Sequence, residues 1–416
     1  MDSSVRPGFG EAVLLWLKIG CIGFGGPSGQ IAILQSEIVE KRRWISQEEF
    51  LRALQFCMLL PGPEAQQLAT YLGWRLHGVR GGIAAGVLFL LPAALLLWML
   101  SILYVIGRDW PSVNGFLDGL KPAVVAVVAS ALMRIAQRTI TGRPLALISL
   151  ASLMLFYARI PYPLVVLGFG LFGALFLKKS PQLDSSLGSK APRASWIASG
   201  RTALGIIVLW LVPIAGLFLW MGPRAMPLRV GLFFCKVAVL SFGGAYAALS
   251  YVSLHASSDW GWLSSKEMLD GLGLAETTPG PLLIALQFVA FLGCYRSPGI
   301  LSPLLSATLG SLIALWSLFL PSFLWIFSLA PHLINICRNP FIAGALSSMG
   351  AVVTAVIASL FLSFAGSQFF HQGSISVWNV LIALAAFLLL QTKRLGIVAV
   401  IIISGIVVMI HGWIRP

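Results

Sequence analysis

The sequence predicts an all-α, polytopic transmembrane protein with two homologous repeats, inverted by the reading favoured below, and with broken or re-entrant helices. Three observations carry that fold class. Composition is the first: 58% of residues are hydrophobic, 10% are charged and the mean hydropathy is +0.91, against about 25% charged in soluble domains. A duplication is the second. At an offset of 218, Lys18 to Pro63 pairs 12 identical residues in 46 positions, where about three are expected by accident. Third, the helix breakers recur in register: Phe24-Gly25-Gly26 returns as Phe242-Gly243-Gly244, and Pro61-Gly62-Pro63 as Pro279-Gly280-Pro281. In a membrane protein, matched breaks in a repeat point to a transporter whose substrate site lies where the halves meet.

The first unit, 1–177, opens with a helix over 11–23 that stops at the Gly-rich stretch 23–29 and resumes over 30–39. A second interrupted pair runs over 48–60 and, after Pro61-Gly62-Pro63, over 64–77. Gly and Pro at this density stop a helix and free its backbone groups. Such backbone is tolerated at membrane depth only where protein buries it or a wet cavity receives it, so the breaks mark the expected ligand path. The run 82–103 is apolar over a bilayer-spanning length. Residues 178–201, KKSPQLDSSLGSKAPRASWIASGR, carry five basic residues and one acid and read as a cytoplasmic linker. One extra helix follows at 202–222, and then the second unit, 223–416, with clear apolar runs at 342–364, 377–390 and 396–410.

One extra crossing inverts the second unit if each unit crosses an even number of times. Loop charge tests this, since equivalent loops would then face opposite sides. Glu40-Lys41-Arg42-Arg43 aligns with Ser258-Asp259-Trp260-Gly261, which has no basic residue, and segment 75–80, basic at both ends, aligns with 293–298, where Arg296 is the one base. Inversion is therefore favoured. The first apolar run, 12–23, belongs to a repeat unit and lacks a small-x-small end, which argues against a signal peptide.

The net charge of +14 reads as basic cytoplasmic loops rather than a nucleic-acid surface. Five widely spaced cysteines form neither a disulfide framework nor a metal site. The histidines are dispersed, and H-E-x-x-H and P-loop patterns are absent. No cofactor, metal or nucleophile set is expected, so the chain reads as a non-enzyme whose energy comes from an ion gradient, the membrane potential or a separate subunit.

Lys18 and Lys236 stand six residues before the two Gly-Gly breaks in otherwise apolar stretches. Intramembrane lysines are costly and point to a substrate site; the rival reading is that they snorkel to an interface. Gly25, Gly26, Gly243 and Gly244 would let the backbone approach an oxyanion, and the N–H groups opening each following half-helix carry the positive dipole end. Ser28 and Tyr246 add hydroxyls at matching positions, while close helix packing is the alternative use of the glycines. The Pro61-Gly62-Pro63 and Pro279-Gly280-Pro281 turns are candidate gates. Beside them lie a polar path of Gln66, Gln67, Thr277, Thr278 and Gln287 and two proton-coupling candidates, Glu64 and Glu276. A carboxylate beside a break in a membrane can exchange protons; for Glu64, at a helix start, capping is the rival role.

Taken together, 18–27 (KIGCIGFGGP), 60–75 (LPGPEAQQLATYLGWR) with Gly78, Gly81 and Gly82, 241–246 (SFGGAY), and 275–281 (AETTPGP) with Gln287 and Phe288 resemble the chromate ion transporter (CHR) family in its long-chain, two-domain form. The resemblance implies a multi-pass protein of the bacterial inner membrane that exports chromate, as an antiporter driven by the proton-motive force, and confers chromate resistance. It implies chromate, protons and the lipid bilayer as partners, and leaves a homodimer open. Sulfate, also a tetrahedral dianion, is the alternative substrate, because a site of N–H groups and lysines separates the two poorly. An intramembrane enzyme acting on a lipid or phosphate ester is the rival from another class. One departure is internal: Pro27 is matched by Ala245, so the halves are not chemically identical.

Overall fold

Apolar segments removed from water must satisfy their backbone groups internally, and nearly all of this chain does so as helix. The structure, a computed structural model, describes residues 7–107, 110–177, 195–242, 244–256, 260–333, 339–371, 374–392 and 395–414. The first half contains α1 (Phe9–Ile22), α2 (Gly26–Gln35), α3 (Gln47–Cys57), α4 (Glu64–Ile106), α5 (Pro111–Thr139), α6 (Arg143–Tyr157) and α7 (Tyr162–Phe176). After α8 (Trp196–Met221) come α9 (Met226–Leu240), α10 (Ala245–Leu254), α11 (Ser265–Glu276), α12 (Ala285–Arg296), α13 (Pro303–Leu329), α14 (Pro340–Phe369), α15 (Val377–Thr392) and α16 (Ile397–Ile414). Among the described residues, one antiparallel ladder of two residue pairs, Phe370 with Ile375 and His371 with Ser374, departs from helix. Among the described residues five helices, α4, α5, α8, α13 and α14, are long and apolar enough to cross a membrane. Because α8 begins at Trp196, the last six residues of the polar stretch are helical rather than linker.

The same succession of elements stands on either side of α8. Helices α1, α2 and α3 correspond at the 218-residue offset to α9, α10 and α11, and α4 corresponds to α12 plus α13. The gap between α12 and α13 has its counterpart inside α4, where His77 (φ −134°) and Gly78 (φ 64°) leave helical geometry. The interruption expected at residue 77 is thus present, and helix resumes at once.

Side-chain contacts fix the helix directions. α13 runs antiparallel to α8, with Trp196 stacked on His332 at one end and Trp210 donating to Ser317 O (3.1 Å) midway. It also runs antiparallel to the segment of α4 after Gly78, Gly82 lying against Phe327 and Trp98 donating to Thr308 (3.1 Å). α1 starts at the His332 end, where His77 Nε2 meets Pro7 O at 2.9 Å. α9 starts at the other end, beside the last turns of α8, with Gly231 against Ile214 and Ile313. α1 and α9 therefore enter the bundle from opposite ends.

At the centre α5 packs on α14, and each is flanked by the last helix pair of the other half: α5 by α15 and α16, α14 by α6 and α7. Small residues make these crossings close, Gly119 against Gly405 and Gly173 against Gly344. Thr139 and Thr354 join the two central helices through their hydroxyls at 2.7 Å.

Candidate functional site

Each Pro-Gly-Pro turn reaches across to the glycine break of the opposite half. Gly62 N donates to Ser241 O (3.0 Å) and Gly280 N donates to Gly23 O (2.9 Å), two bonds related by the 218-residue offset. Gln30 Nε2 donates to Gly23 O (3.1 Å) and to Gly280 O, tying one break to one turn. Both turn glycines have φ above 100° (116° and 109°), a conformation that L side chains rarely adopt.

This crossing brings four helix starts to one cavity of about 280 Å³. Gly25, Gly26 and Ser28 line it from the start of α2, and Gly244 and Tyr246 from the start of α10. Pro63 and Glu64 line it from the start of α4, and Pro281 and Leu282 from the 3₁₀ turn leading into α12. None of these starts has a side-chain cap. Uncapped N–H groups with the positive ends of helix dipoles form an anion site. A water's share of liquid volume is about 30 Å³, so the cavity has room for a tetrahedral oxyanion and water.

From α5, Arg134, Arg138 and Thr139 complete the lining. The two arginines are one turn apart, which places them on one face of the helix, and both are exposed. Among the described residues neither makes a hydrogen bond or an ion pair within 4 Å. Glu64 is the one acid in the described lining, and Gly244 leaves room for it: a Cβ on Gly244 would stand 3.5 Å from Glu64 Oε1. Glu64 caps no helix. With Glu64 ionised these three side chains sum to +1, and with Glu64 protonated to +2. One layer behind, Tyr246 OH donates to the buried Glu276 carboxylate (3.1 Å).

Not every expected residue converges here. Lys18 and Lys236 lie outside the cavity lining and are exposed. Lys18 pairs with Glu37 (3.3 Å), and Lys236 Nζ sits 5.9 Å from the centre of the Tyr251 ring. Their faces of α1 and α9 look away from the breaks, which suits long side chains carrying a charge outward. Gly243 lies outside the described residues. Pro61, Gly62, Pro279 and Gly280 build the crossing without lining the cavity. The polar path is also absent from the lining: Gln67 donates to Pro61 O (2.7 Å), Gln287 to Ala94 O (3.0 Å), and Thr277 and Thr278 back to their own helix. Gln66 is buried with both amide atoms unpartnered among the described residues. Sequence reasoning missed Arg134 and Arg138. The signal was available as two bases at i and i+4 closing the apolar run 122–133, the criterion applied to Lys18.

Glu37 explains why Lys18 turns away. Its buried carboxylate gathers Lys41 (2.8 Å), Arg42 and Lys18 (3.3 Å) at the π-helical turn that continues α2 over Ser36–Lys41. The Lys41 hydrogen bond, helped by Arg42 and Lys18 and opposed by burial, holds its carboxyl at about 2. A depressed carboxylate stabilises the fold fully above its unfolded value of 4.5 and loses that contribution as pH falls toward about 2. The stability difference between wild type and Glu37→Gln in detergent should therefore be constant above about pH 5 and shrink between there and pH 2. A difference that grew on acidification would contradict the assignment.

A family model described as Chromate transporter matches residues 10–174 and 228–409. The chain belongs to the chromate transporter family. The two segments matched in this family member begin at the 218-residue offset of the duplication. It is 28% identical over 402 residues to the chromate transport protein of Pseudomonas aeruginosa, covering 96% of this chain and 90% of that one. It is 24% identical over 395 residues to the chromate transport protein of Cupriavidus metallidurans (93% and 89%). An uncharacterized transporter of Methanocaldococcus jannaschii is 24% identical over 404 residues (97% and 94%). No solved structure matches the chain.

Proposed function

We propose that the protein exports chromate from the cytoplasm across a bacterial inner membrane, with proton coupling, and so confers chromate resistance. The observation that carries this reading is the meeting of four uncapped helix starts with Arg134 and Arg138 in one cavity between the halves. A tetrahedral dianion is the ligand that such a field favours. Its two curated relatives from Pseudomonas and Cupriavidus are named for chromate transport, which favours chromate over sulfate. The test is uptake into everted vesicles with an imposed proton gradient. Chromate should accumulate; accumulation of sulfate with indifference to chromate would overturn the assignment.

In this reading units 1–177 and 223–416 are inverted repeats joined by the polar stretch 178–201, whose last six residues already belong to α8, and by the rest of that helix. The opposed starts of α1 and α9 support it, as does loop charge. Lys41, Arg42, Arg43, Arg75, Arg80 and Arg143 all belong to the end of the bundle at which α5 finishes, which the positive-inside rule makes cytoplasmic. The cavity, reaching Arg138 and Thr139 in the last turn of α5, then loads from the cytoplasm. Single cysteines at the exposed positions Gln47 and Lys266, in a background without the native five, should label from opposite faces of the membrane. Labelling from one face would reject inversion.

Leaving a negative interior, a dianion gains about 4.6 kcal/mol per 100 mV from the membrane potential, at 2.3 kcal/mol per charge. Proton exchange adds to this through Glu64, in the cavity, and Glu276, behind Tyr246, while the Pro-Gly-Pro crossings act as gates. Glu64→Gln or Glu276→Gln, or both, should lose accumulation driven by a pH gradient and retain chromate counterflow, which needs no net protonation change. If both variants still respond to the pH gradient, neither glutamate is a coupling group.

A further inference from the structure

A second set of charged groups lies far from the cavity, where α5 meets α11. Lys121 Nζ is 2.7 Å from Asp118 Oδ1 and 3.3 Å from Asp270 Oδ1, and Tyr104 OH donates to Asp270 Oδ2 at 3.0 Å. The Lys121 and Asp270 side chains are 8% and 5% exposed, whereas that of Asp118 is 64% exposed. Building on the proton-coupled reading above, we propose that Asp270 takes up the coupling proton from the membrane face opposite the cavity mouth, with Lys121 and Asp118 as its charge partners.

Charge counting gives the reason. Two carboxylates and one ammonium leave the cluster at −1, with Asp270 and Lys121 buried and Asp118 at the exposed edge, so one proton neutralises it. Protonating half of an isolated buried ion pair strands the other charge, which is strongly unfavourable. Here Lys121 keeps Asp118 as its partner when Asp270 becomes neutral. Asp270 can therefore alternate between carboxylate and acid without stranding the ammonium. α4 brings Tyr104 to Asp270, and α5 brings Asp118 and Lys121. Among the described residues the other elements packed on α11, namely α12, α14, α16 and the 3₁₀ turn, bring no charged side chain to Asp270, Arg296 of α12 being engaged with Glu267. On α11 itself the neighbouring acids are Glu267, held by Arg296 (2.5 Å), and Glu276.

Position gives the direction. Lys121 precedes Arg134 on α5 by 13 residues, about 20 Å along the axis at 1.5 Å per residue. The cluster and the cavity arginines thus lie toward opposite ends of one helix. α11 links them a second time: six residues after Asp270, or about 9 Å, Glu276 accepts from Tyr246, which lines the cavity. The first half has no such pair of acids. Arg52, bound to Glu48 (2.9 Å), stands at the register of Asp270, and Met58 at that of Glu276. The duplicated scaffold thus carries this machinery once, on α11.

The test is a pH-difference infrared spectrum of the full-length protein reconstituted in lipid without chromate, paired with transport in proteoliposomes. Acidification should produce a buried carboxylic-acid carbonyl band that is lost in Asp270→Asn and returns in Asp270→Glu. An unchanged set of bands in a folded Asp270→Asn protein would overturn the proposal. In transport, Asp270→Asn should lose accumulation driven by a pH gradient while counterflow stays within about twofold of wild type. Retained coupling in that variant would equally overturn it. A wild type that carries no chromate would sink the transport reading instead, and the infrared arm would still decide whether Asp270 is the proton site.

Discussion

Arg134→Gln and Arg138→Gln are each expected to weaken chromate binding by about 10- to 100-fold, since a hydrogen bond to a charged group contributes about 1.5–3 kcal/mol and each 1.4 kcal/mol is tenfold. The two guanidinium groups share one face of α5 and have no partner of their own within ion-pair distance among the described residues. Neither is held in an ion pair, although Arg138 acts through space on Glu64 and Arg134 on Glu276, so the loss falls on the ligand and on the field at these two carboxylates. Arginine presents a planar fork that matches an oxyanion bidentately, so Arg138→Lys should recover part of the affinity and not all of it. Lys18→Gln and Lys236→Gln serve as controls and should stay within about twofold of wild type, because both side chains point away from the cavity. Titration of purified protein with chromate, and with sulfate as competitor, reads all five. Unchanged affinity in the Arg134 and Arg138 double variant would remove the arginines from the site.

Gly280→Ala should be the most destabilising small substitution in the crossing. Its φ of 109° belongs to a region that costs a non-glycine residue about 1–3 kcal/mol. A Cβ there would also overlap the Ala93 methyl, and overpacking adds about 1–3 kcal/mol more. The strain falls on the turn whose N–H bonds Gly23 and whose carbonyl accepts from Gln30. Gly62→Ala meets the flexible end of Gln67 instead and should be milder. Gly366, in α14 with nothing within 4 Å of its would-be Cβ, is the control, where alanine should be neutral or stabilising by up to about 1 kcal/mol. Thermal unfolding in detergent ranks the three. Equal stability of Gly280→Ala and Gly366→Ala would refute the account of the crossing.

The helix breaks and the apolar spans are legible in the sequence because each is a local property. Proline lacks an N–H, glycine adopts positive φ, and a run of apolar side chains cannot face water. Family membership followed from the same short motifs. Lys18 and Lys236 show the limit of that reasoning. Their positions relative to the breaks were correct, yet which way a lysine points depends on the face its helix presents, and on α1 that face meets Glu37. Arg134 and Arg138 were overlooked for the complementary reason. Bases near a helix end read as an ordinary cytoplasmic boundary until packing turns them toward the starts of α2 and α10.

What the sequence determined by itself was therefore where the chain must break and that it breaks twice in the same way, since backbone chemistry acts over a few residues. What only the tertiary structure decided was the partner of each break. Gly62 meets Ser241 and Gly280 meets Gly23 across roughly half the chain, through backbone groups that every residue carries. Such contacts leave no mark on side-chain identity. They exist because α5 and α14 pack together and each is flanked by the other half's last helices, and that arrangement gathers two arginines and four helix starts around one cavity.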